Sequence, residues 1–135
     1  MAIRVLIADD DGFVRDALQA LVASESRLNL AGVASDAEEA VELARRLRPD
    51  IALIDLKMPG GGGLRAAREI TECSPETRLL AMSAHDDRAS VTRMLHAGAV
   101  GYIVKGATVA EIVDAITRSC RGEAVLPPVM MGDVA

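Results

Sequence analysis

Six polar side chains stand directly after short apolar runs, at positions where they could work together. Asp9, Asp10 and Asp11 follow the run Ile3–Ala8, and Asp55 follows 51–54. Ser83 follows 79–82 and Lys105 follows 100–104. Carboxylates gathered in one place repel, which raises the pKa of at least one of them unless a cation neutralises them. A divalent metal meets that need. Oxygen ligands without His or Cys select a hard ion, and a small number of protein ligands suits Mg²⁺, which keeps several waters and shares a substrate phosphate. The chemistry this points to is phosphoryl transfer. An Asp carboxylate can act as nucleophile while the metal and a lysine ammonium hold the charge spread over the phosphoryl oxygens. A nearby hydroxyl can hydrogen-bond the same group.

Each of these residues also has an ordinary structural use. An Asp before a helix accepts hydrogen bonds from free N–H groups, and Asp11 suits that role ahead of Gly12 and Phe13. Three in a row exceed what one cap needs. Asp55, three residues before Met58-Pro59, could be a turn residue. Ser83 and Lys105 gain meaning only jointly with the carboxylates. The glycine run 60–63 reads as a loop; no Lys-Ser/Thr follows it and no Gly-x-Gly-x-x-Gly follows the first apolar run, which argues against nucleotide binding. Cys73 and Cys120 lack metal-ligand spacing and read as reduced packing residues, and His85 and His96 form no ligand pair.

Bringing such scattered groups together requires a particular order of elements. Short runs rich in β-branched residues (Ile3–Ala8, Leu28–Ala34, 51–54, 79–82 and 100–104) alternate with stretches of three- and four-residue apolar spacing. The helical stripes are Val14, Leu18, Leu21 and Val22; then Ala40, Val41, Ala44 and Leu47; then Leu64, Ala67 and Ile70. Val91, Met94 and Leu95 follow, and Val109, Ile112, Val113 and Ile116 make the last. Asp36 with Glu39 and Thr108 with Glu111 match the reciprocal capping box, while Pro49, Pro75 and Gly98 mark helix ends. Five βα units in strict alternation predict an α/β fold, a doubly wound parallel sheet with right-handed crossovers and helices on both faces. Ligands of such sheets bind beyond the carboxyl ends of the strands, where these polar residues stand.

Composition sets the remaining limits. The 135 residues suit one domain, and half are apolar, enough for a core. With one Tyr, one Phe and no Trp, that core must be aliphatic. A net charge of −5 without a basic patch disfavours nucleic-acid binding by this segment. No long apolar stretch suggests a membrane span or a secretory leader, so a cytoplasmic protein is expected.

The residues IADDD (Asp9, Asp10), LIDLKMPGGGG (Asp55), LLAMSAHDD (Ser83) and GYIVKGA (Tyr102, Lys105) together resemble the receiver domains of bacterial two-component response regulators, over about residues 3–121. The resemblance implies a CheY-like sheet of order 2-1-3-4-5. It implies a phosphoacceptor role for Asp55, direct Mg²⁺ ligation by Asp10, Asp55 and the backbone carbonyl of Lys57, and ligation through a water by Asp9. Ser83 and Lys105 would bind the phosphoryl group, and Tyr102 would be the ring that changes exposure. The face made by the fourth helix, fifth strand and fifth helix would then be altered for a partner. The donor would be a phosphohistidine of a sensor histidine kinase or a phosphotransfer protein, and phosphorylation could drive homodimerisation. The chain would catalyse only its own phosphorylation and dephosphorylation. Lys57 and His85 overhang the phosphoryl group and are candidates for setting its lifetime.

The pattern is not followed everywhere. Gly106 replaces the proline that many receivers carry after the lysine, so a trans Lys105–Gly106 bond is expected unless surrounding contacts hold it cis. Ser83 stands where Thr is commoner. Residues 108–128 resemble the end of receivers that precede a LuxR-type helix-turn-helix domain, with 122–135 read as a linker or disordered tail and transcription as the controlled process. A stand-alone switch and a receiver attached to a cyclic-di-nucleotide enzyme stay open. A phosphohydrolase with an Asp-phosphate intermediate is disfavoured, because Lys57 occupies the position two after Asp55 where such enzymes carry Asp.

Overall fold

The computed structural model describes residues 2–59, 61–83 and 88–125. The elements alternate as β1 (Ile3–Ala8), α1 (Gly12–Ser24), β2 (Leu28–Ala34), α2 (Ala37–Leu47), β3 (Ile51–Asp55), α3 (Gly62–Cys73), β4 (Arg78–Ser83), α4 (Arg88–His96), β5 (Ala99–Val104) and α5 (Val109–Cys120). The five strands are parallel in the order β2-β1-β3-β4-β5, as expected. The reversal of strand order beside β1 opens the crevice between β1 and β3 where ligands of such sheets collect.

Strand alternation divides the core in two. Leu6, Ala8, Ala52, Ile54, Leu79, Ala81 and Tyr102 point to one face and pack with α2, α3 and α4. Val5, Ile7, Ile51, Leu53, Leu80, Met82 and Ile103 point to the other and pack with α1 and α5. Central strands buried on both faces read as continuous apolar runs, which is why β1, β3 and β4 were legible without alternation. Cys73 packs against the first cluster and Cys120 against the second, both as free thiols. Among the described residues no helix is long and apolar enough to cross a membrane.

Three local expectations need correction. Val109 belongs to no buried stripe: it is 58% exposed, because α5 begins there and its first turn overhangs the sheet, leaving Val113, Ala115, Ile116 and Ser119 to make the contact. The Asp36 cap is not reciprocal. Asp36 accepts from the Glu39 N–H at 2.8 Å, but the Glu39 carboxylate reaches one residue further back, to the Ser35 N–H at 2.8 Å. At α5 the box is complete, with Thr108 N–H donating to Glu111 at 2.9 Å and Glu111 N–H donating to Thr108 at 3.1 Å. Finally, the glycine run is not all loop: Gly61 caps α3 with φ 101°, and Gly62 and Gly63 form its first turn.

Beyond α5 the chain turns at Gly122, and Val125 forms a parallel bridge with Gly101 on the outer edge of β5. Tyr102 N–H donates to the Val125 carbonyl at 2.7 Å and Val125 N–H to the Val100 carbonyl at 3.2 Å. Only glycine permits this approach, since a Cβ on residue 101 would stand 2.3 Å from the Val125 oxygen.

Candidate functional site

Asp9 is the first residue past β1 and is wholly buried. Its N–H donates to the Ala34 carbonyl at 3.1 Å, so β2 holds it, and its Oδ1 accepts the Asp11 N–H at 2.9 Å. Asp11 caps α1, accepting the Phe13 N–H at 2.9 Å, as the sequence suggested. The Asp9 backbone carbonyl accepts from Arg15 Nη1 at 2.7 Å. Asp10, between them, is exposed.

Asp55 ends β3, opposite Met82 of β4, and is only 3% exposed. Lys105, just past β5, reaches both acids: its Nζ lies 3.0 Å from Asp9 Oδ2 and 3.2 Å from Asp55 Oδ1. Its backbone N–H donates to the Ser83 carbonyl at 2.7 Å, which ties the ends of β4 and β5 together. Ser83 follows Met82 and is buried, and it lines a cavity of about 230 Å³ together with Lys57, Leu56 and Met94. The loop after β3 is held close by α3. Gly63 N–H donates to the Leu56 carbonyl at 2.9 Å, and a Cβ on Gly63 would stand 2.5 Å from the Asp55 carbonyl oxygen.

These positions determine the electrostatics. Burial, and after it the charge of Asp9, pushes the Asp55 carboxyl up to about 6, against the opposing pull of Lys105 and of the Lys57 N–H. Burial also works against the charge of Lys105, but hydrogen bonds and attraction from Asp9 and Asp55 outweigh it and hold the ammonium above its ordinary range.

The carboxylates of Asp9, Asp10 and Asp55 each offer an oxygen within 4.8 Å of the others. One ammonium contacts two of these three acids, so negative charge remains in excess. Asp9 Oδ2, buried, has Lys105 beside it at 3.0 Å but takes no well-directed hydrogen bond among the described residues. A hard divalent cation fits this donor set on both counts.

The expected residues therefore fall as follows. Asp9, Asp10 and Asp55 share one pocket with Lys105 beside Asp9 and Asp55, and Ser83 stands at the end of β4, opposite Val104. Lys57 is exposed at the rim. His85 lies outside the described residues. Tyr102 is 2% exposed, its ring in the core cluster that also holds Val91 and Met94 of α4. The Lys105–Gly106 bond is trans, with no cis bond among the described residues, and Gly106 takes φ 99°. Sequence reasoning missed Arg15 and Gly63, whose contacts cross from one element to another.

The chain matches the family described as "Response regulator receiver domain" over residues 5–117. It is 40% identical over 126 residues to response regulator GacA of Pseudomonas viridiflava, covering 93% of this chain and 59% of that protein. It is 35% identical over 133 residues to the probable transcriptional regulatory protein NarL of Mycobacterium tuberculosis H37Rv, covering 98% and 62%. The chain thus spans about three-fifths of the length of these curated relatives. Among solved structures, a LuxR-family two-component response regulator from Aurantimonas sp. SI85-9A1 superposes with a TM-score of 0.89 at 32% identity, covering 96% of this chain and 93% of that one. The signal receiver domain of the putative response regulator NarL from Mycobacterium tuberculosis gives 0.86 at 34% identity, with 90% and 98% covered.

Proposed function

This chain belongs to the receiver domains of two-component response regulators, a phosphorylation-controlled switch family, and we propose on that premise that Asp55 is its phosphoacceptor. The observation that carries the assignment is the Lys105 ammonium lying between the carboxylates of Asp9 and Asp55, at 3.0 and 3.2 Å. An Asp55 oxygen attacks phosphorus, the bond from phosphorus to the donor's histidine nitrogen breaks, and its electron pair leaves with the imidazole. Asp10, Asp55 and the Lys57 carbonyl would hold Mg²⁺, with Asp9 completing the acidic set. When bound, Mg²⁺ neutralises the acids and the charge spread over the phosphoryl oxygens.

Once Asp55 carries the phosphoryl group as an acyl phosphate, Lys105 exchanges its carboxylate partner there for a phosphoryl oxygen, and the Ser83 hydroxyl donates to another. Both residues are linked through the Lys105 N–H bond to the Ser83 carbonyl, so drawing them inward moves the ends of β4 and β5 together. Tyr102 is the switch ring, and the face formed by α4, β5 and α5 is the surface that changes. The donor is a sensor histidine kinase or phosphotransfer protein. Lys57 and His85 set the phosphoryl lifetime. The longer relatives support an output that controls transcription, with residues 3–121 forming the receiver and 122–135 leading toward that output.

The test is incubation with Mg²⁺ and a small acyl phosphate, read by intact mass. One acid-stable, base-labile phosphoryl group is expected, absent in Asp55→Asn. Asp10→Asn should sharply weaken the Mg²⁺ dependence, and Ser83→Ala should still accept the group while losing the conformational response. A phosphoryl group retained in Asp55→Asn would overturn the assignment.

A further inference from the structure

Among the described residues, Asp10 is the one acid of the three with no partner of its own. Among the described residues its carboxylate takes part in no hydrogen bond or ion pair, whereas Lys105 contacts both Asp9 and Asp55. Its direction must therefore come from the backbone. The peptide joining Asp9 to Asp10 is planar, with the Asp9 carbonyl at one end and the Asp10 N–H at the other. The β1 ladder ends at Ala8, leaving that carbonyl without a strand partner. Arg15 supplies one, donating from Nη1 at 2.7 Å.

The use of this guanidinium is unusual. It is a cation reaching the backbone of an acidic segment, yet among the described residues it makes no ion pair and serves the neutral Asp9 peptide oxygen instead. Its reach is prepared locally. Arg15 N–H donates to the Asp11 carbonyl at 3.0 Å, closing the first turn of α1, and the other guanidinium nitrogen lies over Gly12, 3.4 Å from where a Cβ would stand. The Asp9 N–H, its Oδ1 and its carbonyl are each hydrogen-bonded, which restrains the peptide leading into Asp10.

We propose that Arg15 is a positioning residue for the metal: it fixes the Asp9–Asp10 peptide so that the Asp10 carboxylate stands in the acidic pocket before a cation arrives. This rests on the reading of the pocket as a Mg²⁺ site. Positioning and bare charge predict opposite signs. A positive charge near the pocket repels Mg²⁺, so if charge were its only effect, removing Arg15 would tighten binding. If it positions Asp10, removal loosens binding, and loss of a partner that orients a ligand weakens metal affinity about tenfold or more.

The experiment is calorimetric titration of Mg²⁺ alone, without phosphodonor, into wild type, Arg15→Ala, Arg15→Gln and Arg15→Lys, with amide relaxation of Asp10 followed by nitrogen-15 NMR in the metal-free proteins. The expected result is an approximately tenfold weaker affinity in Arg15→Ala, partial recovery in Arg15→Lys, and a more mobile Asp10 amide in Arg15→Ala. Affinity in Arg15→Ala equal to or tighter than that of a Mg²⁺-binding wild type overturns the proposal and leaves the metal reading intact. Wild type that binds no Mg²⁺ overturns both. Should Arg15→Ala not fold, Arg15→Gln decides in its place by the same criterion.

Discussion

Asp55 is nearly enclosed by protein and faces a second carboxylate, so its charged form is disfavoured in the folded chain relative to the unfolded one. Its folded pKa is raised from 3.8 to about 6. The unfolded chain therefore gives up this proton first as pH rises, and stability that is fully present below about pH 4 is lost as pH climbs through about 6. Asp55→Asn, which keeps the shape and removes the charge, is expected to stabilise the metal-free protein above pH 7 by on the order of 2 kcal/mol. The gain should shrink toward zero below pH 4; melting curves across this range, with chelator present, check it. The acids, Ser83 and Lys105 were legible in sequence because their types carry chemistry and each follows an apolar run. Arg15 and Gly63 were not. An Arg on the first turn of a helix looks like any solvated cation, and nothing local reveals that Gly63 leaves the space in which the Asp55 carbonyl sits.

The elements were legible where one local signal sufficed. Alternation of runs and stripes gave β1 and β2 to the residue, and placed the ends of β3, β4 and β5 within one residue of those observed. The start of α3 was missed because a glycine-led turn has neither a capping side chain nor an apolar stripe to announce it; the helix is held there by Gly63 N–H on the Leu56 carbonyl. Val109 was assigned to the buried stripe by spacing alone, and the first turn of a helix that overhangs its sheet escapes such a rule. The complete box at Thr108 has a consequence for α5, the helix that follows Lys105. Thr108→Ala leaves the Glu111 N–H without its acceptor and should lower unfolding stability by about 1 kcal/mol. Urea unfolding followed by circular dichroism measures it, with Mg²⁺ affinity expected to stay unchanged.

At the scale of the whole molecule, the doubly wound sheet delivers groups far apart in sequence, from Asp9 to Lys105, to one end of four neighbouring strands, β1, β3, β4 and β5. The fold class and strand order were recoverable because five βα units admit few topologies. The bridge from Val125 to β5 was not, since a single rung far from its partner leaves no periodicity. That rung occupies part of the outer edge of β5, which bears on how the molecule would meet copies of itself. A five-stranded sheet has two outer strands, here β2 and β5, and an open backbone edge can recruit another chain. With β5 covered at Gly101, edge-to-edge pairing through β2 alone closes at two copies. With both edges bare, successive copies could add head to tail without limit. Removing residues 122–135 is accordingly expected to give aggregates whose size grows with concentration by light scattering, where the 135-residue chain is expected to stay small. On this expectation the Val125 rung beyond the last helix would serve as a terminator of sheet polymerisation.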